Sequence, residues 1–282
     1  MYLRESASRA FTLLTKNPPL FGRVMLAKTH AMRPAPPLPA TRRIGNVKFE
    51  IDSSQNGSVA AMYFGAYSPL VVDAMRRYLH LGDTFVDVGA NVGYLSAIAA
   101  EIVGPTGQIH SFEPVPRYFQ RLRRLAELNP EYHIVANRCA AGATTGSAII
   151  RITREPGQNT LVPGYKTGPE VATRLEVPVC RLDSYIESRH ISSVAAIKID
   201  AEGFELPILE GLCGFFEKVE TKPVIICEIA PRAYPLMGRR LSELSDLMSH
   251  YGYTPHDIID GTTLVDLVAT KHVTDVLFSA GF

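Results

Sequence analysis

The stretch VDVGANVGY, residues 86–94, decides the fold of this chain. Its first three residues end an apolar run rich in β-formers, residues 84–88. A helical pattern follows over residues 95–103. The spacing predicts a strand, a tight loop and a helix. Gly89 and Gly93 let the backbone turn sharply and let a ligand lie against bare main chain, while the free N–H groups of the helix start face the same space. A nucleotide-like cofactor fits such a loop.

The loop departs from the fingerprint of dinucleotide-binding proteins. That fingerprint is G-x-G-x-x-G, with the pyrophosphate on the helix N-terminus, whereas here Asn91 replaces the second glycine and Tyr94 follows Gly93. With Asp87 at the strand end, the loop resembles the acidic-x-Gly-x-Gly-x-Gly loop of Rossmann-like S-adenosylmethionine methyltransferases. That cofactor has no phosphate, so an acidic residue beside the loop is tolerated. A glycine turn of an ordinary α/β protein stays open as the alternative.

Length and composition predict one large α/β domain, with or without an appendage. The chain has 282 residues, 46% of them hydrophobic, and no apolar run approaches the roughly 20 residues of a membrane span. The net charge of +1 gives no reason to expect a nucleic-acid partner. The cysteines lack zinc or C-x-x-C spacing, which indicates reduced residues of a soluble, cytoplasmic protein. They are Cys139, Cys180, Cys213 and Cys227.

Residues 1–43 differ from the rest. They carry eight basic residues against one acidic residue and end in the proline-rich MRPAPPLPATRR, so we expect a basic extension followed by a domain over residues 44–282. A short basic helix here would offer one apolar stripe for peripheral contact with a membrane or a partner. Packing of that helix on the same chain is the alternative that we favour. The stripe consists of Leu3, Phe11, Leu13 and Leu14.

Further strands and helices complete an α/β pattern. Strands are predicted over residues 44–51, 108–112, 132–137, 147–153, 175–180, 194–199, 223–227, 253–259 and 263–270. Helices are predicted over residues 60–81, with a break at Ser68-Pro69, and over residues 117–128 and 241–251. The last two strands form a hairpin through Asp260-Gly261 in this interpretation, which gives the sheet an antiparallel edge.

Two positions suggest how an adenosine group is held. Glu113 follows the second strand of the βαβ unit, where a carboxylate accepts both ribose hydroxyl protons. Its alternative role is a charge that favours the start of the next helix. Ala140 lies among small residues after the third strand, which leaves room for an adenine ring.

A second informative stretch, VAAIKIDAEGFELPILEG, begins at Val194. Its apolar strand ends at Ile199 and delivers Asp200, Glu202 and Glu205 around a glycine. Carboxylates so close together repel one another unless a cation, a metal or a shared proton offsets the repulsion. Strand ends on this side of an open α/β sheet form the ligand crevice. Helix capping, with Glu205 exposed, is the alternative.

These carboxylates are our candidates for chemistry. We expect three carboxylates to reach the crevice: Asp200, Glu202 and Glu228, the last at the end of the next strand. One of them is expected to act as the general base. A divalent cation is one way to assist them, although no metal ligands are assigned. The loop at residues 154–174 is interpreted as a lid or acceptor-binding loop, with Asn159 and Tyr165 as weaker candidates.

Together, the motifs DTFVDVGANVGY, SFEPVP, ANRCAAG, IKIDAEGFELPILEG and PVIICEI resemble the FkbM-type methyltransferase family over residues 44–228. The resemblance implies a class I, Rossmann-like methyltransferase fold: a mostly parallel sheet with an antiparallel C-terminal hairpin, preceded here by the N-terminal extension. It implies S-adenosylmethionine as cofactor and O-methylation of a hydroxyl on a sugar, glycolipid or polyketide-type acceptor. The expected cofactor-binding residues are Asp87, Gly89, Asn91, Gly93, Tyr94, Glu113 and Ala140.

Three other functions stay open from the sequence. An N-methyltransferase acting on an amine needs a base less than an O-methyltransferase does. An NAD-dependent oxidoreductase is disfavoured by the missing third glycine and by Tyr94. A non-catalytic S-adenosylmethionine-binding protein is disfavoured by the intact carboxylate cluster.

Overall fold

The computed structural model describes residues 12–31, 37–52, 59–154, 158–165 and 171–281. The strands are β1 (Ala40–Ile44), β2 (Val47–Ile51), β3 (Thr84–Val88), β4 (Gln108–Phe112), β5 (His133–Asn137), β6 (Ala140–Ala141), β7 (Gly146–Thr153), β8 (Val171–Cys180), β9 (Ala196–Ile199), β10 (Val224–Ile229), β11 (Tyr253–Asp257) and β12 (Thr274–Ala280). The helices are α1 (Pro18–Ala31), α2 (Val59–Phe64), α3 (Pro69–Tyr78), α4 (Tyr94–Val103), α5 (Pro116–Leu128), α6 (Leu182–Ser188), α7 (Glu205–Glu210), α8 (Cys213–Lys218) and α9 (Leu241–His250), with a 3₁₀ helix at Pro231–Met237.

Seven strands form the central sheet in the order β5-β4-β3-β9-β10-β12-β11. The first five run parallel, and β12 lies antiparallel between β10 and β11. Because β3 and β9 are covered on both faces, their residues are buried almost without interruption rather than in alternation, and each strand is apolar apart from one buried charged residue, Asp87 in β3 and Lys198 in β9. This arrangement confirms the expected class I, Rossmann-like fold with an antiparallel C-terminal edge.

Two layers of helices cover the sheet and bury separate cores. One core joins α1, α3, α4 and α5 to the β1–β2 hairpin, and the other lies under α6 to α9. The strand and helix predicted around residues 84–103 are confirmed, with α4 beginning one residue early at Tyr94. The strands predicted over residues 147–153 and 175–180 are also confirmed, and they form the antiparallel neighbours β7 and β8.

One strand prediction was wrong and another was confirmed only in part. Residues 44–51 do not form one strand, because Gly45 takes a positive φ of 56° and turns the chain into the antiparallel β1–β2 pair. The second arm of the predicted final hairpin is confirmed only at its start. Leu264 makes an isolated antiparallel bridge with His256, with hydrogen bonds from the N–H of Asp257 to the oxygen of Thr263 at 2.7 Å and from the N–H of Val265 to the oxygen of Pro255 at 3.0 Å. Side chains of Asp260 and Asp266 accept backbone N–H groups two and three residues later and hold the flanking residues in turns, so the bridge does not extend into a strand, and the full-length partner of β11 is β12.

The described part of the N-terminal extension packs on the domain. Leu13, Leu20 and Val24 are buried in the first core, and Arg23 forms an ion pair with Asp73 of α3. This is the same-chain packing that the sequence favoured over a free apolar stripe. Strand β1 runs across the expected boundary at residue 43.

The structure describes residues 12–31 and 37–43 of the extension. Leu3 and Phe11 of the predicted stripe, and residues 32–36 of the proline-rich segment, lie outside the described residues. Within the described ranges, no helix combines the length and the apolar character needed to cross a bilayer.

Candidate active site

A cavity lies beyond the carboxyl ends of β3, β4 and β9, the edge at which the sequence placed the ligand crevice. Most of the predicted site residues line it. They are Gly89, Asn91, Tyr94, Glu113, Ala140, Asp200 and Glu202. Three predicted residues lie elsewhere: Asp87 and Gly93 are packed behind the loop, and Glu228 lines a neighbouring cavity.

The glycine loop is set by close packing. Gly89 has a φ of 75°, and a Cβ at this position would overlap the backbone oxygen of Asp200, so a side chain there would push β3 away from β9. Gly93 has a φ of 86° and packs on Leu122 of α5. Asn91 between them also has a positive φ, 53°, a conformation that Asn tolerates better than most residues. The bare main chain of this loop leaves a cradle open to the cavity.

Glu113 ties this loop to the end of β4. It is 5% exposed, and its carboxyl oxygens accept the N–H of Asn91 at 2.9 Å and of Val115 at 2.8 Å. Burial raises the pKa of Glu113 to about 7, although these two hydrogen bonds favour the charged form. Each oxygen retains a further lone pair for a ligand hydroxyl. The bond to Val115, next to the start of α5, shows that the residue also supports the helix start.

Asp87 is fully buried beneath the loop. It accepts a hydrogen bond from Ser96 Oγ of α4 at 2.6 Å, and its other oxygen lies 3.3 Å from Lys198 Nζ. Asp87 supports the glycine loop and α4 on the side that faces away from the cavity, and it is not part of the cavity lining.

Lys198, which the sequence analysis did not select, lies at the centre of the site. Its ammonium donates to the carbonyls of Val88 and Gly89 at 3.3 and 2.9 Å and lies 3.5 Å from Asp200 Oδ2. Burial opposes its charge, but Asp200 and Asp87 outweigh that effect and raise the pKa of Lys198, so the side chain is a cation. A signal was present in the sequence: Lys198 is the one charged residue inside a strand whose four residues are all buried.

A second cavity of about 240 Å³ adjoins the first. Five residues line both cavities, namely Tyr67, Leu95, Lys198, Asp200 and Glu202, and Glu228 lines only the second. Burial, followed by the charges of Asp200 and Glu202, raises the pKa of Glu228 to about 9. Glu228 therefore holds a proton at neutral pH.

Glu205 does not join this carboxylate group. It is fully buried and accepts hydrogen bonds from the N–H of Gly203 at 2.7 Å and from Tyr234 Oη at 3.1 Å. Burial raises its pKa to about 7. Glu205 thus supports the turn, and the alternative that placed it on the surface was wrong.

Part of the loop interpreted as a lid lies over the site. Asn159 lines the first cavity, and its side chain accepts the N–H of Thr153. Thr160 Oγ1 donates to the backbone oxygen of Glu202 at 2.7 Å. These bonds fix residues 158–160 against the Glu202 turn. Residues 155–157 and 166–170 lie outside the described ranges. In the part of the chain that the structure describes, no three or more His, Cys, Asp or Glu side chains form a group suited to a metal ion.

Comparison with known proteins identifies a family. The methyltransferase FkbM domain model matches residues 87–255. The chain is 28% identical over 163 residues to 31-O-demethyl-FK506 methyltransferase FkbM of Streptomyces tacrolimicus, covering 48% of this chain and 61% of that protein. It is 25% identical over 137 residues to hexuronic acid methyltransferase AglP of Haloferax volcanii, covering 49% and 53%. The chain thus spans less than two thirds of the length of either relative.

Among solved structures, the chain resembles methyltransferase FkbM from Methylobacillus flagellatus KT. The sequence identity is 17%, the match covers 92% of this chain and 60% of that one, and the TM-score is 0.40.

Proposed function

This chain belongs to the methyltransferase FkbM family, and on that premise we propose that it transfers a methyl group from S-adenosylmethionine to a hydroxyl of a sugar, glycolipid or polyketide-type acceptor. Methyl transfer and its cofactor follow from the family. The acceptor oxygen is the proposal. The observation that carries it is the presence of two carboxylates, Asp200 and Glu202, where two cavities meet, because an acceptor hydroxyl that approaches the cofactor at this boundary needs a base to remove its proton.

The first cavity fits the cofactor. The bare loop at Gly89 provides the cradle, Glu113 offers acceptor oxygens for ribose hydroxyls, and Ala140 leaves space for the adenine ring. Asn91 and Tyr94 complete the wall, while Asp87 and Gly93 hold it from behind. When bound, S-adenosylmethionine would supply a methyl group carried on a sulfonium sulfur, which is a good leaving group because it departs as a neutral thioether.

The protein then has two tasks, to align the acceptor oxygen and to remove its proton. Holding the acceptor oxygen at roughly 3–3.5 Å from the methyl carbon lowers the activation barrier by several kcal/mol. Asp200 is our proposed base, because it borders both cavities and its side chain is 37% exposed beside the Lys198 cation. Glu202 would orient the acceptor, and Glu228, protonated at neutral pH, would donate a hydrogen bond to it.

The test begins with calorimetric titration of S-adenosylmethionine and S-adenosylhomocysteine, followed by a screen of sugar and polyketide alcohols for methylated product. With an acceptor in hand, Asp200→Asn should lower kcat by about 10²- to 10⁴-fold, the usual worth of a general base. Glu220→Gln, at an exposed surface position, is the matched control. Full turnover in Asp200→Asn would remove that residue from the role of base, and the same measurement applies to Glu202→Gln.

N-methylation of an amine is the second candidate, and the acidic second cavity favours it. Four carboxyl groups line that cavity, from Asp200, Glu202, Glu228 and Asp275, and they suit a cationic or neutral acceptor better than an anionic one. An amine needs less help from a base, so Asp200→Asn would leave N-methylation within about tenfold of the parent rate. Cofactor binding without turnover on any alcohol or amine would support the third function, a non-catalytic binding protein.

A further inference from the structure

A third cavity, of about 250 Å³, lies between α1, β1, α3 and α4 and shares Tyr94 with the cofactor cavity. At roughly 30 Å³ per water molecule, it has room for several waters or for a small hydrated ion. Its lining is unusual in charge, because it includes four arginines from three separate elements. They are Arg23 of α1, Arg42 and Arg43 of β1, and Arg76 of α3.

Few of these positive charges are compensated. The cavity also contains the carboxylates of Asp73 and Glu101, but Asp73 is already held by Arg23 and, at 3.4 Å, by Arg77. Within the described ranges, neither Arg43 nor Arg76 has a hydrogen-bonded or ion-paired carboxylate. The cavity therefore presents an excess of positive charge.

The guanidinium of Arg42 adds to this excess. It donates to the backbone carbonyls of Met62 and Tyr63, so it caps the end of α2, but these acceptors are neutral and leave its charge uncompensated. A capping role accounts for Arg42. A capping role does not account for Arg43 and Arg76, two exposed residues that also line the cavity and add positive charge at its edge.

We propose that this arginine-lined cavity binds a phosphate or diphosphate group. Guanidinium groups form paired hydrogen bonds with phosphate oxygens, and several of them around a concave site concentrate anions. The phosphoryl group belongs either to a soluble ligand or to a lipid headgroup. The site is independent of methyl transfer, so its test requires neither an acceptor nor turnover.

The test is calorimetric titration of the 282-residue chain with inorganic pyrophosphate and with phosphate at low salt. The variant Arg43→Gln/Arg76→Gln removes two guanidinium groups that make no ion pair in the described structure. The matched control Arg174→Gln/Lys271→Gln removes two exposed positive charges elsewhere. We expect pyrophosphate affinity to fall by about tenfold or more in the first variant and to stay unchanged in the control.

Sedimentation with phosphatidylcholine vesicles, with and without phosphatidylglycerol, separates the two sources of the phosphoryl group. Binding to the anionic vesicles that is lost in Arg43→Gln/Arg76→Gln and displaced by pyrophosphate indicates a lipid headgroup. Pyrophosphate binding without sedimentation indicates a soluble ligand. Absence of binding to pyrophosphate, phosphate and vesicles overturns the proposal, as does equal weakening in the control variant. Circular dichroism and S-adenosylmethionine titration of each variant verify that the fold is intact.

Discussion

The ammonium of Lys198 lies 3.3 Å from the carboxylate of Asp87, and the two residues stand in register on the adjacent parallel strands β9 and β3. Both side chains are almost completely buried. The buried carboxylate of Asp87 has Lys198 as its cation, while Lys198 is balanced by both Asp87 and Asp200. The pair fixes the relative position of two strand ends, and these strand ends deliver the glycine loop and Asp200 to the site.

Lys198→Met should lower the free energy of unfolding by roughly 3–5 kcal/mol, since it leaves the carboxylate of Asp87 buried without its cation. The double variant Lys198→Met/Asp87→Asn should recover part of this loss because it removes both charges. Urea denaturation of the two single variants and the double variant measures the coupling. Lys271→Met, at an exposed position, is the control. Additive effects of the two single substitutions would show that the ion pair contributes nothing.

Glu113→Gln should weaken binding of S-adenosylmethionine by roughly 10- to 100-fold, the usual value of a hydrogen bond to a charged group. The amide keeps the size of the carboxyl group but cannot accept from both Asn91 and Val115 with equal strength. Calorimetry with S-adenosylmethionine and S-adenosylhomocysteine measures the effect, and Glu131→Gln is the surface control. Unchanged affinity in a folded variant would contradict the assignment of Glu113 to the ribose.

Glu228→Gln should stabilise the protein increasingly as the pH rises. The folded state holds the Glu228 proton up to about pH 9, whereas the usual pKa of this carboxyl is 4.5. The native state therefore binds more protons than the unfolded state, and Glu228 costs stability above pH 4.5. Urea unfolding should give the parent and the variant similar free energies of unfolding near pH 4.5. At pH 8 the variant should be more stable than the parent by about 1 kcal/mol or more. A difference that does not change with pH would show that the carboxyl ionises normally.

Gly89→Ala should destabilise the fold by about 2 kcal/mol or more, because the new Cβ would overlap the backbone of Asp200 in a conformation with positive φ. Gly146→Ala serves as the control, since no atom lies within 4 Å of a Cβ at that position. Thermal unfolding compares the two variants. Equal melting temperatures would mean that β3 and β9 can separate without cost.

Leu20→Ala should cost roughly 2–4 kcal/mol of stability, the usual penalty for removing a fully buried leucine side chain. Leu26→Ala on the same helix is the matched control, because Leu26 is 55% exposed. Denaturant unfolding of both variants distinguishes an α1 that is part of the core from one that only rests on it. An equal, small effect of the two substitutions would contradict core packing of α1.

The sequence by itself determined the class of fold and the strand, glycine loop and helix over residues 84–103. The run at Thr84–Val88, the glycine turn and the following helix are local features, and residues 84–103 adopted the predicted structure. The same holds for Glu113, whose place at a strand end follows from the order of strands. Predictions failed where distant residues decide the pairing. The bridge from β11 to Leu264 is local, whereas the longer pairing of β11 with β12 depends on long-range contacts that local patterns do not record.

Only the tertiary structure decided which carboxylates meet. Asp200, Glu202 and Glu205 are close in sequence, yet Glu205 turns inward to Gly203 and Tyr234 while the other two border both cavities. The role of Lys198 also depended on the fold, because a lysine in a strand becomes a buried cation only when the neighbouring strand places Asp87 opposite it. Burial and charge at such a point are properties of several chain segments at once.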